Sequence, residues 1–160
     1  MTSKYQIYLD VCCLNRPFDD QNQQRIRLES EAVIMIINRC ILDEWELITS
    51  NALEAEIDRT PDRERVKKIG AVLSIAKKRI LINEKIEKRI FDLHKLGFSS
   101  YDAAHISSAE QAEVDILLTT DDRLLRKSVR YGNRLKIRLV NPIQWLTNID
   151  KVEVENDDAE

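Results

Sequence analysis

Three observations predict an α/β protein with three layers around a mainly parallel sheet. Short apolar runs alternate with longer stretches whose apolar residues recur at helical spacing. Ile116-Leu117-Leu118 is continuously apolar, as suits a strand covered on both faces. Acidic residues stand at or just beyond the ends of these runs or at helix starts: Asp10, Glu56, Asp102 and Asp121. In a parallel sheet such positions converge on one edge. A chain of 160 residues suits a single domain with a sizeable core, and residues 1–149 are assigned to it.

The elements follow in order. Tyr5 to Leu9 reads as a short strand. Asn15 to Asp20 reads as a loop broken by Pro17 and Asp20. From Gln24 to Leu42, Ile26, Val33, Ile36, Ile37, Cys40 and Ile41 repeat at helical spacing. Trp45 to Thr49 is a second strand, and Ser50 or Asn51 caps a short helix after it. Thr60-Pro61-Asp62 starts another helix, with Pro in its first turn, and Asp62 to Lys78 is amphipathic. Arg79 to Ile82 is a candidate third strand.

Glu84 to Leu96 is an amphipathic helix stopped by Gly97. Ser99 or Ser100 opens the next helix, to about Ala112. These two helices follow each other without a strand, a break in the alternation. Ile116 to Thr119 is a buried strand, and Asp121 to Tyr131 a helix ended by Gly132. Lys136 to Val140 is the last strand, and Pro142 begins a short helix holding Trp145. Residues 150–160 form an acidic tail whose composition favours fraying or flexibility.

Composition limits the function classes. No apolar run reaches the roughly 18 residues of a membrane span. Met1 to Gln6 is polar and lacks the apolar core of a signal peptide, so the cytoplasm is the expected location. Cys12, Cys13 and Cys40 are odd in number and form no C-x-x-C pair, against a disulfide framework or a zinc site. Cys12 and Cys13 read as small buried residues beside a strand end.

The net charge of −3 disfavours a nucleic-acid partner until its distribution is read. Residues 150–160 hold six of the 28 acids and one of the 25 bases, which leaves 24 bases against 22 acids, or +2, for the rest. Arg123, Arg126, Lys127, Arg130, Arg134, Lys136 and Arg138 lie in one stretch without an acid. That stretch is either a phosphate-binding face or a solvated helix face.

Converging carboxylates suit hard divalent cations, which drive phosphodiester hydrolysis. Asp10 and Asp121 follow apolar strands. Asp102 lies in a helix's first turn, where the positive dipole end stabilises a carboxylate. Glu56 stands on the helix after the second strand and has the longer reach. Singly, each acid reads as a capping or turn residue. Together they form a candidate site.

At this point the chain resembles the PIN-domain family, of the kind found in VapC toxins of bacterial toxin–antitoxin pairs. The matching pieces are Ile7-Tyr8-Leu9-Asp10, Ser50 through Glu56-Ile57, Ser99-Ser100-Tyr101-Asp102-Ala103-Ala104-His105 and Leu117-Leu118-Thr119-Thr120-Asp121. The resemblance covers roughly residues 5–145. It implies a Rossmann-like PIN fold and an endoribonuclease dependent on Mg²⁺ or Mn²⁺. Asp10, Glu56, Asp102 and Asp121 carry over as the catalytic acids, with Asp10, Asp102 and Asp121 as metal ligands. Glu54 competes with Glu56 for the second position. It further implies an RNA substrate, a cognate antitoxin and a homodimer.

Thr119 matches a hydroxyl that bonds a carboxylate or water, or is a plain strand residue. Asp122 is assigned to the helix start rather than the site. Asn15 and Arg16 either contact the scissile phosphate or belong to a structural loop with Phe18 beneath the first helix. His105, one turn beyond Asp102, is assigned to the core. A non-catalytic PIN-like module binding RNA or protein is the alternative. A phosphatase of the haloacid dehalogenase type needs an Asp two residues after Asp10, where Cys12 stands. A receiver domain needs an acidic pair near the first strand end, and Asp19-Asp20 lies too far along.

Overall fold

The computed structural model describes residues 4–159. Met1–Ser3 of the polar N-terminal segment and Glu160 of the acidic tail lie outside the described residues. Five parallel strands make the central sheet: β1 (Gln6–Leu9), β2 (Glu46–Ser50), β3 (Lys78–Ile80), β4 (Ile116–Leu118) and β5 (Leu139–Val140), in the order β3-β2-β1-β4-β5. Eight α-helices complete the three layers: α1 (Val11–Asn15), α2 (Gln24–Ile41), α3 (Asn51–Asp58), α4 (Arg63–Leu73), α5 (Glu84–Lys95), α6 (Ser100–Ala112), α7 (Asp122–Arg130) and α8 (Pro142–Asp158). The three-layer α/β class predicted from sequence is the one observed.

The strand order positions the site. The chain lays β2 and then β3 outward from β1, and later returns to place β4 and β5 on β1's other flank. The order reverses between β1 and β4, where a crevice opens beyond the strand ends. Asp10 N–H donates to Leu118 O at 3.0 Å, so the chain leaving β1 is pinned to the end of β4. Central strands must be apolar on both faces, and Ile7, Tyr8, Leu9, Ile116, Leu117 and Leu118 are all buried.

Several local expectations change. The expected loop over Asn15–Asp20 is short helix: α1 ends at Asn15, and Arg16–Phe18 makes a 3₁₀ turn. Pro17 is compatible because a first turn needs no N–H donor there. Pro61 precedes α4 rather than entering it, and Asp62 caps the helix by accepting from Arg65 N at 3.2 Å. α4 stops at Leu73 because the chain must turn for Lys77 N–H to reach Leu47 O at 2.9 Å and begin β3. The final helix is long rather than short. Lys151 to Asp158 contains no Gly or Pro, and Arg39 bonds Glu153 at 3.1 Å.

The α5–α6 junction matters most for function. Gly97 ends α5 at φ +100°, a conformation that strains a side-chain-bearing residue. Phe98 then enters the core, and Ser99 caps α6 by accepting from Asp102 N at 3.1 Å. This junction delivers Asp102 to the same edge as the β1 and β4 ends.

Candidate metal centre

Asp10, Glu56, Asp102 and Asp121 line one open cleft of about 470 Å³. Asp10 is its most enclosed acid, 6% exposed. Its Oδ1 accepts from Val11 N at 2.7 Å, and its Oδ2 accepts from Thr119 Oγ1 at 2.9 Å. Thr119 Oγ1 in turn accepts from Asp121 N at 3.1 Å, so one hydroxyl ties two of the acids together. Thr119 is thus more than a strand residue.

Asp121 caps α7, its Oδ1 accepting from Arg123 N at 2.9 Å and Leu124 N at 3.3 Å. Its Oδ2 has no protein partner among the described hydrogen bonds and remains free for a ligand. Asp102 sits half-buried in the first turn of α6. Burial, and then the charge of Asp10, raise its pKa above the usual carboxylate range. Among the described residues neither Asp102 nor Asp121 forms an ion pair. Such crowding of carboxylates without a cation partner is relieved by a divalent ion, and the oxygen donors suit Mg²⁺ or Mn²⁺.

Glu56 belongs to the cleft and Glu54 does not. Arg79 holds Glu54 with contacts of 2.7, 2.8 and 3.0 Å on the far side of α3. Glu56 Oε1 instead meets His105 Nε2 at 2.8 Å. Asp10, Glu56 and His105 present ligand atoms all within 4.8 Å of one another. His105 is buried as the sequence suggests, yet it touches the site. Burial disfavours its charged form, but the Glu56 hydrogen bond and the charges of Asp10, Glu56 and Asp102 raise its pKa overall. Tyr8 Oη lies 2.8 Å from His105 Nδ1 and 2.7 Å from Ser50 Oγ. Burial above all pushes the Tyr8 pKa up, so the phenol keeps its proton.

Cys12 departs from its expected core role. It is half-buried and faces the cleft, with Sγ 3.4 Å from Asp10 Oδ2 and 3.2 Å from Thr119 Oγ1. Cys13 and Cys40 are buried. Asn15 and Arg16 line the cleft, but Arg16 is committed to Glu29 at 3.0 Å and Asp19 at 3.1 Å. Phe18 packs against the core, so this segment is structural as well as cleft-lining. Asp122 stands in the first turn of α7 and pairs with Arg25 at 2.7 and 2.8 Å, outside the cleft.

A second groove, of about 830 Å³, shares Asp102 and Asp121 with the cleft. Arg123, Arg126, Lys127 and Arg130 of α7 line it. Of the seven-base stretch, these four share the groove with the acids, and Lys127 Nζ donates to Gly97 O at 2.6 Å. Arg134, Lys136 and Arg138 do not line this groove. Arg59, outside that stretch, bonds Tyr101 Oη at 3.2 Å.

No family model matches the chain, and no curated protein matches it in sequence. Solved structures match in fold. FitAcB from Neisseria gonorrhoeae superposes with a TM-score of 0.55 at 14% identity, over 85% of this chain and 97% of that one. PAE2754 from Pyrobaculum aerophilum gives 0.51 at 17% identity, over 89% and 86%. VapBC2 from Rickettsia felis, bound to a DNA fragment from their promoter, gives 0.50 at 11%, over 85% and 98%. The chain therefore has the three-layer α/β PIN fold.

Proposed function

We propose that this protein is a Mg²⁺- or Mn²⁺-dependent endoribonuclease and the toxin of a type II toxin–antitoxin pair. The observation that carries the reading is the meeting of Asp10, Glu56, Asp102 and Asp121 in one cleft that opens onto an arginine-rich groove. Carboxylates alone would repel RNA. Carboxylates beside Arg123, Arg126 and Arg130 suit an RNA strand with one phosphate at a metal site and its neighbouring phosphates against guanidinium groups.

Asp10, Asp102 and Asp121 would hold the ion, and Thr119 fixes the Asp10 carboxylate. A bound ion would supply Lewis acidity to the scissile phosphate and to the attacking water. Glu56 orients that water and accepts its proton. Water attacks phosphorus directly, without a covalent enzyme intermediate, and the sugar oxygen leaves. Arg126 and its neighbours hold the strand along α7.

The partners follow from this reading. FitAcB and VapBC2 are the fold neighbours that point to an antitoxin, which would block the acidic cleft. A homodimer and a cytoplasmic setting complete the proposal. Among the described residues no helix is long and apolar enough to cross a membrane. Every residue assigned to cleft and groove lies within residues 1–149, the proposed single domain. The test is cleavage of an unstructured RNA with Mn²⁺, with Mg²⁺ and with chelator. Metal-dependent cleavage lost in Asp10→Asn supports the reading. Unchanged cleavage in that variant sinks it.

A further inference from the structure

A row of four hydrogen-bonded side chains runs from the sheet into the acidic cleft. Ser50 Oγ lies 2.7 Å from Tyr8 Oη, Tyr8 Oη 2.8 Å from His105 Nδ1, and His105 Nε2 2.8 Å from Glu56 Oε1. Ser50 and Tyr8 are wholly buried and His105 is 2% exposed. Of the four, Glu56 alone lines the cleft. We propose that His105 is the positioning residue of Glu56: its Nε2–H donates to the Glu56 carboxylate, and Tyr8 and Ser50 hold the ring so that this donor cannot turn away. The inference rests on the nuclease reading of the cleft.

The direction of the bond follows from donor chemistry. A carboxylate only accepts, so Nε2 must carry the proton whether the ring is neutral or charged. The two hydroxyls serve both states. With a neutral ring, Tyr8 O–H donates to Nδ1 and Ser50 O–H donates to the Tyr8 oxygen. With a charged ring, Nδ1–H donates to Tyr8, which donates to Ser50 Oγ. Either way every member of the row has a partner.

The row also closes on itself. Ser50 Oγ accepts from Leu53 N at 3.0 Å and so caps α3, the helix that carries Glu56. The side chains therefore fix the Glu56 carboxylate relative to the start of its own helix. Nε2 lies 3.8 Å from Asp10 Oδ1, beyond hydrogen-bond reach, so the donor is committed to Glu56. Partners behind a ligand or base typically change metal affinity or activity by about 10–100-fold when removed.

Two measurements on the full chain test this. Long-range ¹H–¹⁵N spectra of the metal-free wild type should show a proton on His105 Nε2; a ring protonated on Nδ1 alone overturns the proposal. His105→Ala should lower kcat for RNA cleavage about 10–100-fold with little change in KM. His105→Gln, whose amide N–H can reach Glu56, should recover most of that loss. Equal losses in both variants, in step with falling Tm, mean a structural histidine and overturn it. Absence of cleavage by the wild type would defeat the nuclease reading instead, and the spectra would still decide which ring nitrogen faces Glu56.

Discussion

At the N-terminal edge of the sheet, Trp45, Trp145 and Tyr5 meet edge to face, with ring centroids 4.8, 5.7 and 6.2 Å apart. Arg39 lies over Trp45 at 3.8 Å. At the C-terminal edge, β1 leads into Asp10, β2 ends in Ser50 and the neighbouring β4 leads into Thr119, and the cleft above them is lined by acids. One edge buries two indole rings, Trp45 and Trp145, that need no ligand. The other concentrates like charges that repel in the absence of a cation. Stability and chemistry are thus segregated to opposite ends of β1 and β2, only a few residues apart in sequence.

The largest expected effect tests the stabilising end. Trp45→Ala removes a ring that is 3% exposed and should cost about 3–5 kcal/mol in urea denaturation. Mn²⁺ affinity measured where the variant is still folded should stay near wild type. A lost metal site in a folded Trp45→Ala protein would break the segregation. Next comes Asp10→Asn, which should lower cleavage about 10²–10³-fold, the scale for losing one preorganised electrostatic group. Its stability should hold or rise, because removing the charge eases the crowding felt by Asp102. A fall in stability as large as that of Trp45→Ala would mean that the cleft is structural.

Much of this division is legible in the sequence. β1 and β4 declare themselves as apolar runs, and Asp10, Asp102 and Asp121 sit where strand ends and helix starts predict, whereas Glu56 stands in the second turn of α3. Glu54 and Glu56 compete in the sequence, and only their placement separates them: Glu56 lines the cleft and Glu54 does not. The rest is hidden for physical reasons. Tyr8 reads as core because it lies inside a buried strand, and Ser50 reads as a cap; each does that and also joins the His105 row. Tertiary pairing alone shows the second role. β5 begins later than its pattern suggests, since Lys136 N–H is spent on Glu110 at 2.8 Å. Cys12 looks like its buried neighbour Cys13 until α1 turns it toward Asp10.

A smaller effect probes a residue that serves both ends of the argument. Ser50→Ala removes the α3 cap and should cost about 1–2 kcal/mol, by thermal or urea denaturation. It also takes a partner from Tyr8. If the site depends on that row, cleavage should fall further than the loss of folded protein explains. Cleavage that tracks the folded fraction would confine Ser50 to capping.

The smallest change in stability should come from the groove. Arg126 is exposed and forms no ion pair among those described, so Arg126→Glu should shift stability by no more than about 0.5 kcal/mol. Its effect belongs in RNA binding. Each lost phosphate contact on a single strand should flatten the slope of log affinity against log salt by about 0.7. Arg134→Glu makes the same charge change outside the groove and is the matched control. A slope lowered by Arg126→Glu and not by Arg134→Glu places the strand along α7 beside Asp102 and Asp121. Equal slopes would reduce the basic stretch to a solvated face, and leave the acids without a path for their substrate. Both variants should bind Mn²⁺ like wild type, because neither touches a carboxylate of the cleft.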